Sequence, residues 1–136
     1  MKDTVIMSIN PKYVKMIFSL NPTKKWELRR RIWSSVQNGK HMEMSHALVY
    51  ETGTGTIVGQ FDIGNVYRSA ADGIWGIVCR SSGVTFEELI TYFHGCRNCF
   101  AIEILNPMLF VHPIPLSEFG VKRAPQSWMY LPEVKE

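Results

Sequence analysis

Cysteine is scarce, at three in 136 residues, and an odd number without a secretory leader fits a reducing compartment better than a disulfide framework. No apolar run approaches the roughly 20 residues that span a bilayer. The opening "MKDTVIMSINPKY" has too short an apolar stretch for a signal peptide, so the expected location is the cytoplasm. Internal repeats, low-complexity tracts and linkers are missing too, and one domain over residues 1–136 is expected. His41, His46 and His112 stand singly, which leaves no Ser/His/Asp or Cys/His arrangement for nucleophilic catalysis.

What is present is an ordinary globular composition, 46% hydrophobic and 20% charged, in a chain long enough to bury one core. The net charge of +3 is unevenly spread. Residues 1–40 hold nine Lys/Arg against two Asp/Glu, for +7, and residues 41–136 hold six against ten, for −4. Such asymmetry suggests a basic patch that meets an anionic partner, with phosphate the commonest candidate.

The segment "TVIMSI" (4–9) reads as a short buried strand. Asn10 followed by Pro11 marks a helix start, and Tyr13, Met16, Ile17 and Leu20 continue it at helical spacing. "NPT" (21–23) breaks that helix. A polar loop spans 34–45, and "HALVYET" (46–52) pairs with "IVGQFDIGNVYR" (57–68) as a hairpin across "GTGT". "SAADGIWGIVCRSSG" is ambiguous. Thr85 and Glu88 form a capping box ahead of a helix that carries Phe86, Leu89, Ile90 and Phe93 on one face and runs to Gly95. "CFAIEILNPMLF" (99–110) is a strand pattern that Asn106-Pro107 bends or ends, and "APQSWMYL" contains a closing strand with Trp128 and Leu131 as core candidates. The fold class expected is α+β: a small, mostly antiparallel barrel with two helices or more.

The densest chemistry lies in "PTKKWELRRRIW" (22–33). Read as a strand, it puts Trp26 and Leu28 on a core face and Glu27, Arg29 and Arg31 on the other. A guanidinium forks onto phosphate or stacks on a base, and a carboxylate among cations can orient an Arg or accept from a base amino group. A plain salt bridge inside the barrel is the competing role. "HGCRNC" (94–99) offers Cys96-x-x-Cys99 beside His94, but a structural zinc site usually shows two separated ligand pairs, so no metal is expected.

The ordered segments "VIMSINPKYVKMIFS" and "KKWELRRRIW" resemble the opening of ASCH-domain proteins, a branch of the PUA-like superfamily. Their signature is Gly-x-Lys-x-x-Glu-x-Arg. Lys24, Glu27 and Arg29 match it, and Pro22 stands where the family usually has Gly. "IVGQFDI" and "ELITYFHGCRNCFAIEI" are similar to later family elements. The ending "PIPLSEFGVKRAPQSWMYL" resembles that of one subgroup described as predicted transcriptional regulators, whose larger members add a helix-turn-helix domain for which 136 residues leave no room.

The resemblance implies a PUA-like barrel and a binding role toward nucleic acid or a nucleotide, RNA more than DNA. The ligand-binding set it points to is Lys24, Glu27, Arg29 and Arg31, joined by Gln126, Ser127 and Tyr130 from the tail, with Trp128 stacking beside them. Neither a cofactor nor a membrane is implied. Some small relatives are hydrolases, acting on acetylated cytidine or as ribonucleases, which is the alternative role; Lys24 and Glu27 would then be catalytic. In the amidohydrolase type a Thr nucleophile stands where this chain has Glu27, and a carboxylate cannot replace it without a change of mechanism. With Arg29 as a free phosphate ligand, Arg29→Ala is expected to weaken RNA binding without unfolding the protein.

Overall fold

Strand β1 (Thr4–Ile9) buries both of its faces: Val5, Met7 and Ile9 enter one core and Ile6 another. The computed structural model describes residues 3–33, 36–37, 40–41 and 44–132. Helix α1 (Pro11–Ile17) starts as its sequence demands, with the Asn10 side chain accepting from the Lys12 amide at 2.9 Å and Pro11 in the first turn. It ends at Ile17, earlier than the spacing of apolar residues suggests, and Leu20 is left exposed. Pro22 disfavours a helical Asn21, so the chain turns before β2 (Trp26–Arg29).

Of the polar loop expected over 34–45, residues 34–35, 38–39 and 42–43 lie outside the described residues. Two short paired strands, β3 (Val36–Gln37) and β4 (Lys40–His41), occupy the rest of its middle. Strands β5 (His46–Glu51) and β6 (Thr56–Ser69) form the expected hairpin, turning at Gly53 and Gly55, both at positive φ. The ambiguous stretch is helix α2 (Ala71–Val78), which buries Ile74 and Val78. Helix α3 (Phe86–Tyr92) has the full capping box of Thr85 and Glu88. It stops short of Gly95, and its apolar face is narrower than read: Leu89 and Phe93 are buried, Phe86 and Ile90 exposed.

Strand β7 (Cys99–Pro115) runs through Asn106-Pro107 with a local bend, Asn106 taking φ 50°. A 3-10 turn (Leu116–Phe119) and β8 (Trp128–Tyr130) complete the fold. One six-stranded sheet has the order β2-β7-β6-β5-β1-β8, antiparallel except for the β1–β5 pair. It curls into a half-barrel whose two edges are β2 and β8. Gly59 permits the curl: a Cβ there would stand 2.6 Å from the Met108 carbonyl and 2.7 Å from the Phe18 ring.

Three clusters fill the layers. The first, inside the curl, joins β1, α1, β5 and β6 through residues such as Met7, Ile17, Val49 and Phe61. The second packs α2 and α3 on β2 and β7 through Leu28, Ile74, Leu89 and Ala101, with Trp26 only partly buried beside them. The third covers the outer face of β1 and β5. Trp128 and Leu131 are half-buried at the margins of the first and third. Among the described residues no helix is long and apolar enough to cross a membrane.

Candidate functional site

Strand alternation in "KWELRR" sets up the site. Leu28 points to the α2–α3 core, and Glu27 and Arg29 therefore point the other way, into the mouth of the curl. That side is not a solvated face. Glu27 and Arg29 are each only 7% exposed, and Lys24 only 2%. The three line a cavity of about 660 Å³ between α1 and α3, walled by the rings of Tyr13 and Tyr92 and rimmed by Glu87 and Glu88. The volume suits a small organic ligand.

Arg29 is committed to the protein. Its Nη1 donates to the Ser127 carbonyl at 3.1 Å and to Ser127 Oγ at 2.9 Å, and its Nη2 donates to the Ser8 carbonyl at 3.0 Å. Since β2 is one edge of the sheet and Ser127 precedes the other edge, this side chain spans the open seam of the half-barrel. A second tie crosses the seam where Trp128 Nε1 donates to the Arg31 carbonyl at 3.3 Å. Glu27 Oε1 stands 3.6 Å from Arg29 Nη2. Its Oε2 and the Arg29 Nε are buried with no hydrogen-bond partner among the described residues. A buried carboxylate oxygen left without a donor is uncommon and asks for an explanation.

Lys24 is held by the loop after α2. Its Nζ donates to the Ser82 carbonyl at 2.7 Å and sits 4.7 Å from the centre of the Tyr13 ring. Gly83, at φ 78°, shapes that loop against Lys24. Burial lowers the Lys24 pKa below 10.5, the Glu27 charge opposes that shift, and Arg29 adds to it. Burial raises both Tyr13 and Tyr92 above 10. Tyr92 Oη donates to the Leu28 carbonyl at 3.3 Å. Glu88 is occupied at the helix start, where its carboxylate accepts from the Thr85 amide at 2.9 Å.

The lowered Lys24 value has a consequence for stability. Between that value and 10.5 the unfolded chain binds more protons than the folded one, so stability rises with pH across this window and is flat below it. Comparing urea midpoints of the wild type with those of Lys24→Met should show the wild type gaining on the variant as the pH rises toward 10.5. A constant gap would mean that Lys24 is not buried as a cation.

The residues expected at the site divide. Lys24, Glu27 and Arg29 converge on the cavity, and Ser127 reaches it through Arg29. Arg31 does not line it: β2 ends at Arg29, alternation lapses, and the exposed Arg31 side chain lies in a neighbouring groove with Ser127. Gln126 is exposed, and Tyr130 lies on β8 with its ring 5.1 Å from Trp128; neither lines the cavity. Tyr13, read only as part of a helix face, and Tyr92 and Ser8 are cavity residues that the residue pattern does not mark as such, although Ser8 is the one polar interruption late in "TVIMSI". Cys96 and Cys99 donate weakly to backbone carbonyls of their own turn, and burial pushes the Cys99 thiol up to about 11. Among the described residues no group of three or more His, Cys, Asp or Glu is placed to share a metal ion.

No family model matches the chain. Large ribosomal subunit protein uL22 from two strains of Ureaplasma parvum is 24% identical over 132 residues, covering 95% of this chain. The chain spans only 39% of the length of those relatives. Among solved structures, the ASCH protein from Zymomonas mobilis superposes with a TM-score of 0.78 at 19% identity, over 98% of this chain and 90% of that one. A mutant of the same protein gives 0.78 at 18% identity, over 97% and 90%. The half-barrel with its flanking helices is thus the fold of the solved ASCH structures.

Proposed function

We propose that this chain is an ASCH-branch binding module that takes an unpaired nucleobase of RNA, or a nucleotide, into the Lys24–Glu27–Arg29 cavity. The observation that carries this reading is the buried Glu27 oxygen without a donor. An exocyclic amino group of a base supplies such a donor, and aromatic walls such as Tyr13 and Tyr92 suit a flat ring. Arg29 is already occupied, and Glu27, Glu87 and Glu88 line the same space, so the cavity favours a base over a phosphate. The likeness to a ribosomal subunit protein and to ASCH structures points the same way. The tail "PQSWMYL" aligns this reading with the subgroup of predicted transcriptional regulators.

The alternative, a hydrolase of RNA or of a modified cytidine nucleoside, rests on Lys24: a buried amine of lowered pKa beside a carboxylate suits a general base. One experiment separates the two. The pure protein is incubated with single-stranded RNAs, DNAs and modified nucleosides, and mass spectrometry reads retention and chemical change together. Retention of RNA or a nucleotide unchanged is the expected result. Product release would favour the hydrolase, and no retention from any of the panel would overturn the binding role.

A further inference from the structure

We infer that the groove beside the cavity, across the Arg29–Ser127 seam, carries the phosphates of a single-stranded RNA whose base enters the cavity; the inference rests on the binding role just proposed. Arg30, Arg31 and Arg97 line this groove, all three exposed, and among the described residues no carboxylate lines it with them. Among the described residues none of the three is in a salt bridge, in contrast to the buried Arg29. Among the described residues the Arg30 side chain makes one hydrogen bond, Nη2 donating to the His94 carbonyl at 3.2 Å, which anchors the guanidinium without neutralising it.

Two features join groove to cavity. Tyr92 walls both, and Ser127, which lines the groove, is the residue that Arg29 grips from the cavity side. A base seated between Tyr13 and Tyr92 would thus leave its sugar–phosphate chain beside the arginines. Half-buried Phe100 offers a ring in the groove for a neighbouring base. The charges are divided in the same way: among the described residues the cavity holds carboxylates with its cations, and the groove holds cations alone. A duplex would bind less well in this arrangement, because its base must first be unpaired and unstacked at a free-energy cost.

The test uses a fluorescent 12-nucleotide RNA of mixed sequence and the mononucleotides AMP, CMP and GMP, titrated against the wild type, a triple variant (Arg30→Ala, Arg31→Ala, Arg97→Ala) and Glu27→Gln. Three phosphate contacts predict a salt slope for the 12-mer that falls by about 2 in the triple variant, with roughly tenfold or greater loss of affinity at moderate salt. Mononucleotide affinity should change little in the triple variant and fall in Glu27→Gln. If the 12-mer binds the triple variant with unchanged affinity and slope while Glu27→Gln weakens it, the groove assignment is wrong and the cavity reading stands. If the wild type binds neither the 12-mer nor any mononucleotide, both fail. Equal binding of a duplex RNA of the same length would overturn the single-strand assignment.

Discussion

Arg29→Ala should be the most damaging single substitution in the cavity, lowering stability by about 3–5 kcal/mol. The reason is topological as well as electrostatic. The sheet's order leaves β2 and β8 unpaired with one another, and the Arg29 guanidinium ties β2 to Ser8 on β1 and to Ser127 at the foot of β8. Its removal cuts three hydrogen bonds across the seam and leaves Glu27, 7% exposed, with its charge unmatched on that side. Loss of buried volume adds to the cost.

For a chain of this size each kcal/mol moves the melting temperature by a few degrees, so a fall of about 10 °C or more is expected in a thermal scan. Arg29→Lys should recover only part of the loss, because an ammonium cannot reach the Ser8 and Ser127 carbonyls in one plane as the fork does. A melting temperature unchanged by Arg29→Ala would show that the seam closes without the guanidinium. This outcome differs from the one expected of a phosphate ligand. A loss of RNA binding in Arg29→Ala is therefore interpretable only beside its melting curve.

The difference shows what was legible in the sequence. Alternation in "KWELRR" correctly put Leu28 in a core and Glu27 with Arg29 opposite it, because a strand has a period of two whatever surrounds it. The same rule failed at Arg31 only because the strand stops at Arg29, and short strands give no sign of their last residue. Capping chemistry at Asn10 and Thr85 was equally plain, being contained within four residues. Phe86 and Ile90 misled, because helical spacing shows that an apolar face exists and not how much of it a neighbour covers. The partners of Arg29 were beyond reach for another reason. They lie 21 and 98 residues away, and only the return of β8 beside β1 brings them together. The cavity walls were hidden in the same way, since Tyr13 and Tyr92 come from different helices.

Glu27→Gln tests the chemistry that this geometry sets up. An unpartnered carboxylate oxygen accepts and cannot donate; with an exocyclic amino group as its donor, the wild type should prefer adenine, cytosine and guanine over uracil, which has only its ring N3–H to offer. One such contact is worth about 1–3 kcal/mol of discrimination, roughly tenfold to a hundredfold in Kd. Glutamine keeps the shape but offers both an acceptor and a donor, so affinity for amino-bearing nucleotides should fall and the bias against uridine should relax. Lys24 should respond as well: without the Glu27 charge that opposes its shift, its pKa drops further, and the window in which stability rises with pH widens downward. A catalytic Glu27 would behave otherwise, with turnover collapsing while ligand affinity held or rose. A purely structural Glu27 would show a third pattern, a fall in melting temperature with the preference among bases unchanged, because Arg29 would remain buried without its partner charge. Relaxed base preference with lowered affinity and no lost turnover is the expected result. Wild-type binding that ranks uridine monophosphate with the other three would overturn the exocyclic amino contact to Glu27, leaving at most a ring N–H, which uracil also offers.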